Sequence, residues 1–179
     1  MSRDFIFKIC LFGDTNVGKT SFIQKAIQNI FNKETKPPTC IDIVVKDLII
    51  NSNKVTLQIW VLRSDPQFEF LFSTFTRGVS GGILMFDITN SSSIMNIENW
   101  VSTFKQYLFK DKKKIPLLLV GCKLDLQEQR IISPKKAIRM AKKLKFFNYF
   151  ECSSKTGENV ETIFKFLSKV MIHSGDYLL

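Results

Sequence analysis

Glycine is scarce in this chain, eight in 179 residues, so loops that need a left-handed or unusually close backbone are few and each one is worth inspecting. The four cysteines, Cys10, Cys40, Cys122 and Cys152, form no CxxC and have no metal-ligand spacing, which excludes a recognisable zinc framework. No apolar run is long enough to span a bilayer. The opening MSRDFIFKICLFG runs into a strand pattern rather than a leader, and free thiols in a reducing, cytoplasmic setting are the expectation. The last residues, IHSGDYLL, hold no cysteine, so no prenylation motif is visible. Acid is also in deficit, with 16 Asp and Glu against 26 Lys and Arg and a formal charge of +10. That balance suits a phosphorylated ligand, an anionic membrane or nucleic acid. The cations cluster in Lys110–Lys114 and in the stretch from Ser133 to Lys145.

What is present describes one globular domain over residues 1–179. Apolar residues make up 45% of the chain and charged ones 23%, enough to build a sizeable core. Phe5 to Phe12 is a short apolar run followed by a glycine-containing turn. From Lys19 onward, Phe22, Ile23, Ala26, Ile27 and Ile30 recur at helical spacing. Lys33 to Thr39 reads as a loop, since Pro37 and Pro38 exclude helix. Two β-rich runs then flank the turn residues Asn51, Ser52 and Asn53, a hairpin. Further on, strand-like runs alternate with amphipathic helices. One helix begins in a serine-rich cap region and carries Ile94, Ile97, Trp100, Val101, Phe104 and Leu108. Another opens with Ser133 as N-cap and Pro134 as its first residue, with Ala137, Met140, Ala141 and Leu144 as its apolar stripe. Alternating strands and helices predict a mostly parallel sheet covered on both faces, with ligands bound beyond the carboxyl ends of its strands.

The chemistry concentrates in two places. Gly13-Asp14-Thr15-Asn16-Val17-Gly18-Lys19-Thr20 matches GxxxxGK[ST] after a strand and before a helix. In that context backbone N–H groups form an anion nest at a helix N-terminus, the lysine reaches the outer phosphates and the threonine hydroxyl ligates Mg²⁺. After a later strand comes GCKLD. A carboxylate at Asp125 accepts from the adjacent ring N–H and exocyclic amine of guanine, a donor pair that adenine lacks. ECSSKTGEN, residues 151–159, follows the last strand and supplies further N–H groups.

These blocks, together with LQIW at 57–60 and FDIT at 86–89, resemble the Rab branch of the Ras-superfamily small GTPases, in order and over nearly the whole chain. The resemblance implies a P-loop NTPase fold, a three-layer α/β sandwich with six strands and five helices, that binds GTP or GDP with Mg²⁺. It places Thr15, Asn16, Val17, Gly18, Lys19, Thr20 and Ser21 on the phosphates and Thr20 and Thr39 on the metal. It places Phe31, Cys122, Lys123, Asp125, Ser153, Ser154 and Lys155 around the base. Effector or regulator proteins are expected at switch loops near Thr39 and Ser64–Phe72, where Phe68, Phe70, Leu71, Phe72 and Phe75 offer an apolar face, some of them being expected in the core instead. A location on endomembranes is expected too.

The departures point the other way. Where the family has Asp-Thr-Ala-Gly-Gln, this chain has Val61, Leu62, Arg63, Ser64 and Asp65. Val61 cannot assist a metal, Ser64 restricts a hinge, and Asp65 cannot donate to a transferring phosphoryl group as glutamine does. Slow or absent hydrolysis and weakened Mg²⁺ binding follow. Arg63 invites comparison with an arginine finger supplied in cis, against the plainer reading of an exposed basic residue. Cys122 stands where the family has asparagine, and a thiol is a poor hydrogen-bonding substitute. It also opens the idea of a redox-sensitive pair with Cys152. A non-hydrolysing scaffold that keeps its nucleotide as a structural ligand is the alternative function. Nucleic acid is not expected as a partner, because the lysine-rich helix has no interleaved aromatics.

Overall fold

The computed structural model describes residues 4–32, 41–62, 71–108 and 115–175. Six strands form one sheet in the order β2-β3-β1-β4-β5-β6. They are β1 (Asp4–Gly13), β2 (Ile41–Ile50), β3 (Asn53–Leu62), β4 (Gly81–Asp87), β5 (Leu117–Cys122) and β6 (Asn148–Glu151). Only β2 runs antiparallel, paired with β3 from Ile41 opposite Leu62 to Ile50 opposite Asn53. The hairpin turn is two residues, Asn51 and Ser52, both at positive φ, the conformation that matches strand twist in a tight hairpin. The other pairings are parallel.

Parallel strands must bury both faces, and β4 and β5 are buried at every position. Along β1, Ile9 and Leu11 face one core while Cys10 and Phe12 face the other. The first core is closed by α1 (Lys19–Gln28) and α6 (Val160–Gly175) through Phe22, Ile23, Ile163, Phe164 and Leu167. The second is closed by α2 (Phe72–Thr76), α3 (Ser91–Met95), α4 (Ile97–Leu108) and α5 (Pro134–Lys143). The architecture is the expected three-layer sandwich. The Lys46 ammonium fastens the outer strand to the first layer, donating to the Ala26 carbonyl at 2.8 Å and pairing with Glu161 at 3.0 Å.

Four sequence readings change in detail. The helix from Ser91 to Leu108 is two pieces, broken at Asn96. Its cap is Asn90 rather than a serine, with the Asn90 side chain accepting from the Ser92 N–H. Ile30 is exposed because α1 ends at Gln28 with Asn29 in the left-handed conformation, and Ile27, in the last turn of the helix, is exposed as well. Phe72 and Phe75 are core residues, not a partner face. Phe72 stacks on Tyr107 and lies against Trp100, and Phe75 packs edge-on to Phe12. Phe68 and Phe70 lie outside the described residues. The opening of α5 is as read, with Ser133 accepting from Lys136 N–H and Pro134 following.

The second core is built on aromatic stacking. Phe12 and Phe104 are both fully buried, with ring centroids 4.7 Å apart. Phe104→Ala should cost about 3–5 kcal/mol, read as a lower denaturation midpoint at unchanged m-value. Ile49→Ala, at a site 69% exposed, should stay within about 0.5 kcal/mol of the parent.

Candidate functional site

Because β1, β4, β5 and β6 are parallel, the loops that follow Gly13, Asp87, Cys122 and Glu151 emerge at the same end of the sheet. The loop after β1 is shaped by three residues at positive φ, Gly13, Asn16 and Gly18. Gly13 allows no side chain. A Cβ there would overlap the Met85 carbonyl of β4. Gly18 is the left-handed N-cap of α1. Thr15 and Asn16 are exposed at the mouth and Val17 is buried beneath it, while Thr20 and Ser21 are half-buried in the first helical turn. Such alternation turns successive N–H groups toward one point at a helix N-terminus.

Lys19 is 7% exposed, and its ammonium donates to the Gly13 and Asp14 carbonyls at 2.7 Å each. Burial lowers its pKa to about 8, opposed by the nearby Asp14 and Cys122 side chains. Asp14 itself is clamped. One carboxylate oxygen accepts from the Trp100 indole at 2.7 Å and the other from Asn96 at 2.8 Å. The sequence reading passed over Asp14. The cue available was an acidic residue inside a loop otherwise suited to anions.

The loops after β5 and β6 are sewn together. Leu124 N–H donates to the Cys152 carbonyl, and Cys152 N–H to the Gly121 carbonyl. This brings Ser153 to Asp125, whose carboxylate accepts from the Ser153 hydroxyl at 2.6 Å. Asp125 is exposed, Ser153 and Ser154 are buried and Lys155 is exposed. Lys123 adopts a left-handed conformation and pairs with Asp87 at 2.6 Å. Asp87 also accepts from the Thr89 N–H and hydroxyl. Asp87, at the buried end of β4, is a second residue missed in the sequence. Phe31 is 37% exposed beyond the cap of α1, so it is not part of the helix-end core. Thr39 and Asp65 lie outside the described residues, as do Arg63 and Ser64.

Cys122 packs under the phosphate loop, 3.9 Å from where a Cβ on Gly18 would sit. Cys10, Cys122 and Cys152 are free and buried. Burial first, and then the adjacent Cys152 thiol, hold the Cys122 thiol well above its usual pKa. The two thiols are neighbours, as the pair idea requires, but a buried, un-ionised thiol is a poor nucleophile, so burial works against their ready oxidation.

A model of the Ras family matches residues 8–173. The chain is also similar to Ras-related protein Rab-3A of Homo sapiens, 33% identical over 168 residues, 94% of this chain and 74% of that protein. The chain is a Rab-like member of the Ras family. It is 31% identical to Ras-related protein Rab-13 of Canis lupus familiaris over 173 residues, covering 96% and 83% of the two chains. It is 31% identical to the GTP-binding protein Rab-3D of Rattus norvegicus over 168 residues, covering 94% and 75%.

Against the Rab-like pattern, the end of β3 stands apart. Val61 is 3% exposed, packed in the first core and paired with Leu11 and Asp42. It offers no oxygen to a cation. Among the described residues, no group of three or more His, Cys, Asp or Glu side chains is arranged to hold a metal ion. Thr20 is the one described residue of the expected metal pair, so the donor set described here fits Mg²⁺ only in part.

Beside the base loops, Arg130 makes a two-bond fork to Glu151 at 2.7 and 2.8 Å, and Tyr149 donates to the same carboxylate at 2.6 Å. Burial alone would raise the Glu151 carboxyl, but the Arg130 and Tyr149 bonds prevail and hold it below its ordinary value. Arg130→Ala should destabilise by about 2 kcal/mol, less than for a wholly buried pair. A depressed folded-state pKa stabilises above the unfolded carboxylate value and loses that contribution as pH falls through the folded one. Chemical denaturation followed downward from neutral pH should therefore show the Arg130→Ala deficit shrinking in acid.

Proposed function

We propose that this Rab-like protein binds guanine nucleotide, GTP or GDP, and acts in vesicle traffic at the cytoplasmic face of endomembranes, with very slow intrinsic GTP hydrolysis. The observation that carries this reading is the loop of positive-φ residues Gly13, Asn16 and Gly18 leading into α1, beside a β3 strand whose next-to-last residue is the buried Val61. The nest at Gly13 to Gly18, the N-terminus of α1 and the buried Lys19 suit a polyphosphate. In this reading Thr15 to Ser21 contact the phosphates. Asp125, oriented by Ser153, reads the guanine edge, with Lys123, Ser154 and Lys155 around it and Phe31 free to lie against the ring. The name of the similar rat Rab-3D, a GTP-binding protein, supports the same ligand.

Binding and turnover separate in this scheme. The chain's own residues bind and orient the nucleotide. Mg²⁺, when bound, supplies charge neutralisation between phosphate oxygens. Thr20 and Thr39 would hold it, without the carboxylate that Val61 displaces, so metal affinity is weakened. Asp65 in place of glutamine leaves the attacking water poorly positioned. Effectors or regulators engage the switch loops and the neighbouring edge of the sheet, where Ile43 and Val45 are exposed on β2.

Two measurements test the reading. In the first, GDP affinity is followed from about pH 7 to 9. A Lys19 that titrates near pH 8 when free and is held charged by phosphate must take up a proton on binding. Affinity should therefore fall as pH rises through about 8, at most about tenfold per unit. Lys19→Arg, which stays charged, should remove that slope and Lys19→Ala should remove binding. A flat profile in the parent would contradict the cradle assignment. In the second, single-turnover hydrolysis of bound GTP is compared with the intrinsic rate of ordinary small GTPases, on the order of 10⁻⁴ s⁻¹. A rate at least about tenfold lower is expected, and an ordinary rate would refute the catalytic reading.

A further inference from the structure

The outer face of α5 has chemistry that neither the phosphate loop nor the base loops use. Between residues 130 and 147 the chain carries seven basic residues and no acidic one. Arg130 is committed to Glu151 and Lys143 to Glu98. Lys135, Lys136, Arg139, Lys142 and Lys145 are all exposed and have no acidic partner among the described residues. Lys135, Arg139 and Lys142 follow one another at i, i+4 and i+7, with Lys136 alongside, so they share one stripe. Ile138, 41% exposed, borders that stripe between Lys135 and Lys142.

This arrangement works against the helix that carries it. Neighbours at three or four residues stand about 5–6 Å apart, inside the ~8 Å screening length at physiological salt, and so repel one another. Lys135 and Lys136 occupy the first turn, which holds no acid, although the helix dipole favours acid there. The buried side, Ala137 and Ala141 with Met140 and Leu144 against the second core, is satisfied without any of these cations. A local cost that packing does not require marks a surface kept for a partner.

We infer that the exposed face of α5 docks on anionic phospholipid headgroups. Four of the five unpaired cations are lysines, mobile point charges suited to a diffuse headgroup layer, where arginine forks would suit fixed phosphates. No aromatic residue lies within α5 to stack on a base, and Phe147 beyond its end, although exposed, lies against Phe166. The stripe has one aliphatic side chain and no large apolar anchor of the sort that centres a protein interface. Position agrees as well. α5 packs beside β6, at the opposite edge of the sheet from β2 and β3. Lipid docking there leaves the β2 edge free for proteins. The inference rests on the membrane-peripheral part of the proposed function, and is independent of nucleotide assignment.

The test is flotation of the full chain with phosphatidylcholine vesicles, neutral or containing about 30 mol% phosphatidylserine, at about 0.15 M salt. Recovery with the anionic vesicles alone is expected. The triple reversal K135E/R139E/K142E should lower the partition coefficient about 100-fold or more. The neutral triple variant K135Q/R139Q/K142Q should fall between it and the parent. Circular dichroism and GDP affinity should be unchanged in both variants. Equal recovery with neutral and anionic vesicles overturns the inference. So does an unchanged partition in the reversed variant, or release from vesicles by a short RNA duplex at comparable charge, which would assign the face to nucleic acid. A chain that floats with anionic vesicles yet fails to bind GDP supports the α5 surface and counts against the nucleotide reading.

Discussion

At Gly13 the first strand passes so close to β4 that the Met85 carbonyl fills the space a Cβ would need. That contact lets β1 remain in register with β4 to its last residue and still leave the sheet at a sharp angle. The loop that follows can then curl over Val17, reach Gly18 and start α1 with Lys19 turned back beneath it. Any side chain at Gly13 would push the strand and the cradle apart. The parallel topology multiplies the effect. The loops after β4, β5 and β6 sit beside the cradle only because their strands are aligned on β1.

Charge holds the assembled end in place. Asp14 is tied across to the α3–α4 junction, Lys123 to Asp87, and Arg130 to Glu151. Each tie joins segments well separated in sequence, and the Asp87 and Glu151 carboxylates of the two ion pairs are largely sheltered from water, where an ion left without its partner is costly. The thiol of Cys122 is an exception. It lies between the cradle and the base loop but offers neither strong donor nor strong acceptor. The cradle and the base loop therefore meet there by packing, while the backbone bonds between residues 121–124 and 152 register the base loop on the loop after β6.

Much of this was legible beforehand because the local signals agreed with the global fold. The strand–loop–helix unit around Lys19, the hairpin turn at Asn51 and Ser52, and the Ser133-Pro134 helix start each combine a turn or cap residue with the right periodicity. The sequence does not tell that Ile27 and Ile30 are exposed, nor which of the second-loop apolar residues are core, because an apolar side chain does not declare which way it turns near a helix end. Asp14 and Asp87 were passed over for a related reason. Their roles depend on partners 82 and 86 residues away for Asp14, and on Lys123 for Asp87, distances over which sequence spacing carries no geometry. The weak donor at Cys122 and the valine at the end of β3 were legible as substitutions. Only the structure could add that both are buried.

The two tryptophans have a consequence of their own. Trp60 lies under the Lys8 ammonium, 3.6 Å from its ring, and its indole nitrogen is buried without a partner among the described residues. Trp100 donates instead to the Asp14 carboxylate and touches Phe72, the residue that opens α2. The two indoles thus have different electrostatic surroundings, a cation over one ring and an anion at the other's N–H. Any shift of the loop after β1 that moves the Asp14 carboxylate must therefore be felt at the Trp100 indole, whereas Trp60 is anchored to Lys8 on the neighbouring strand.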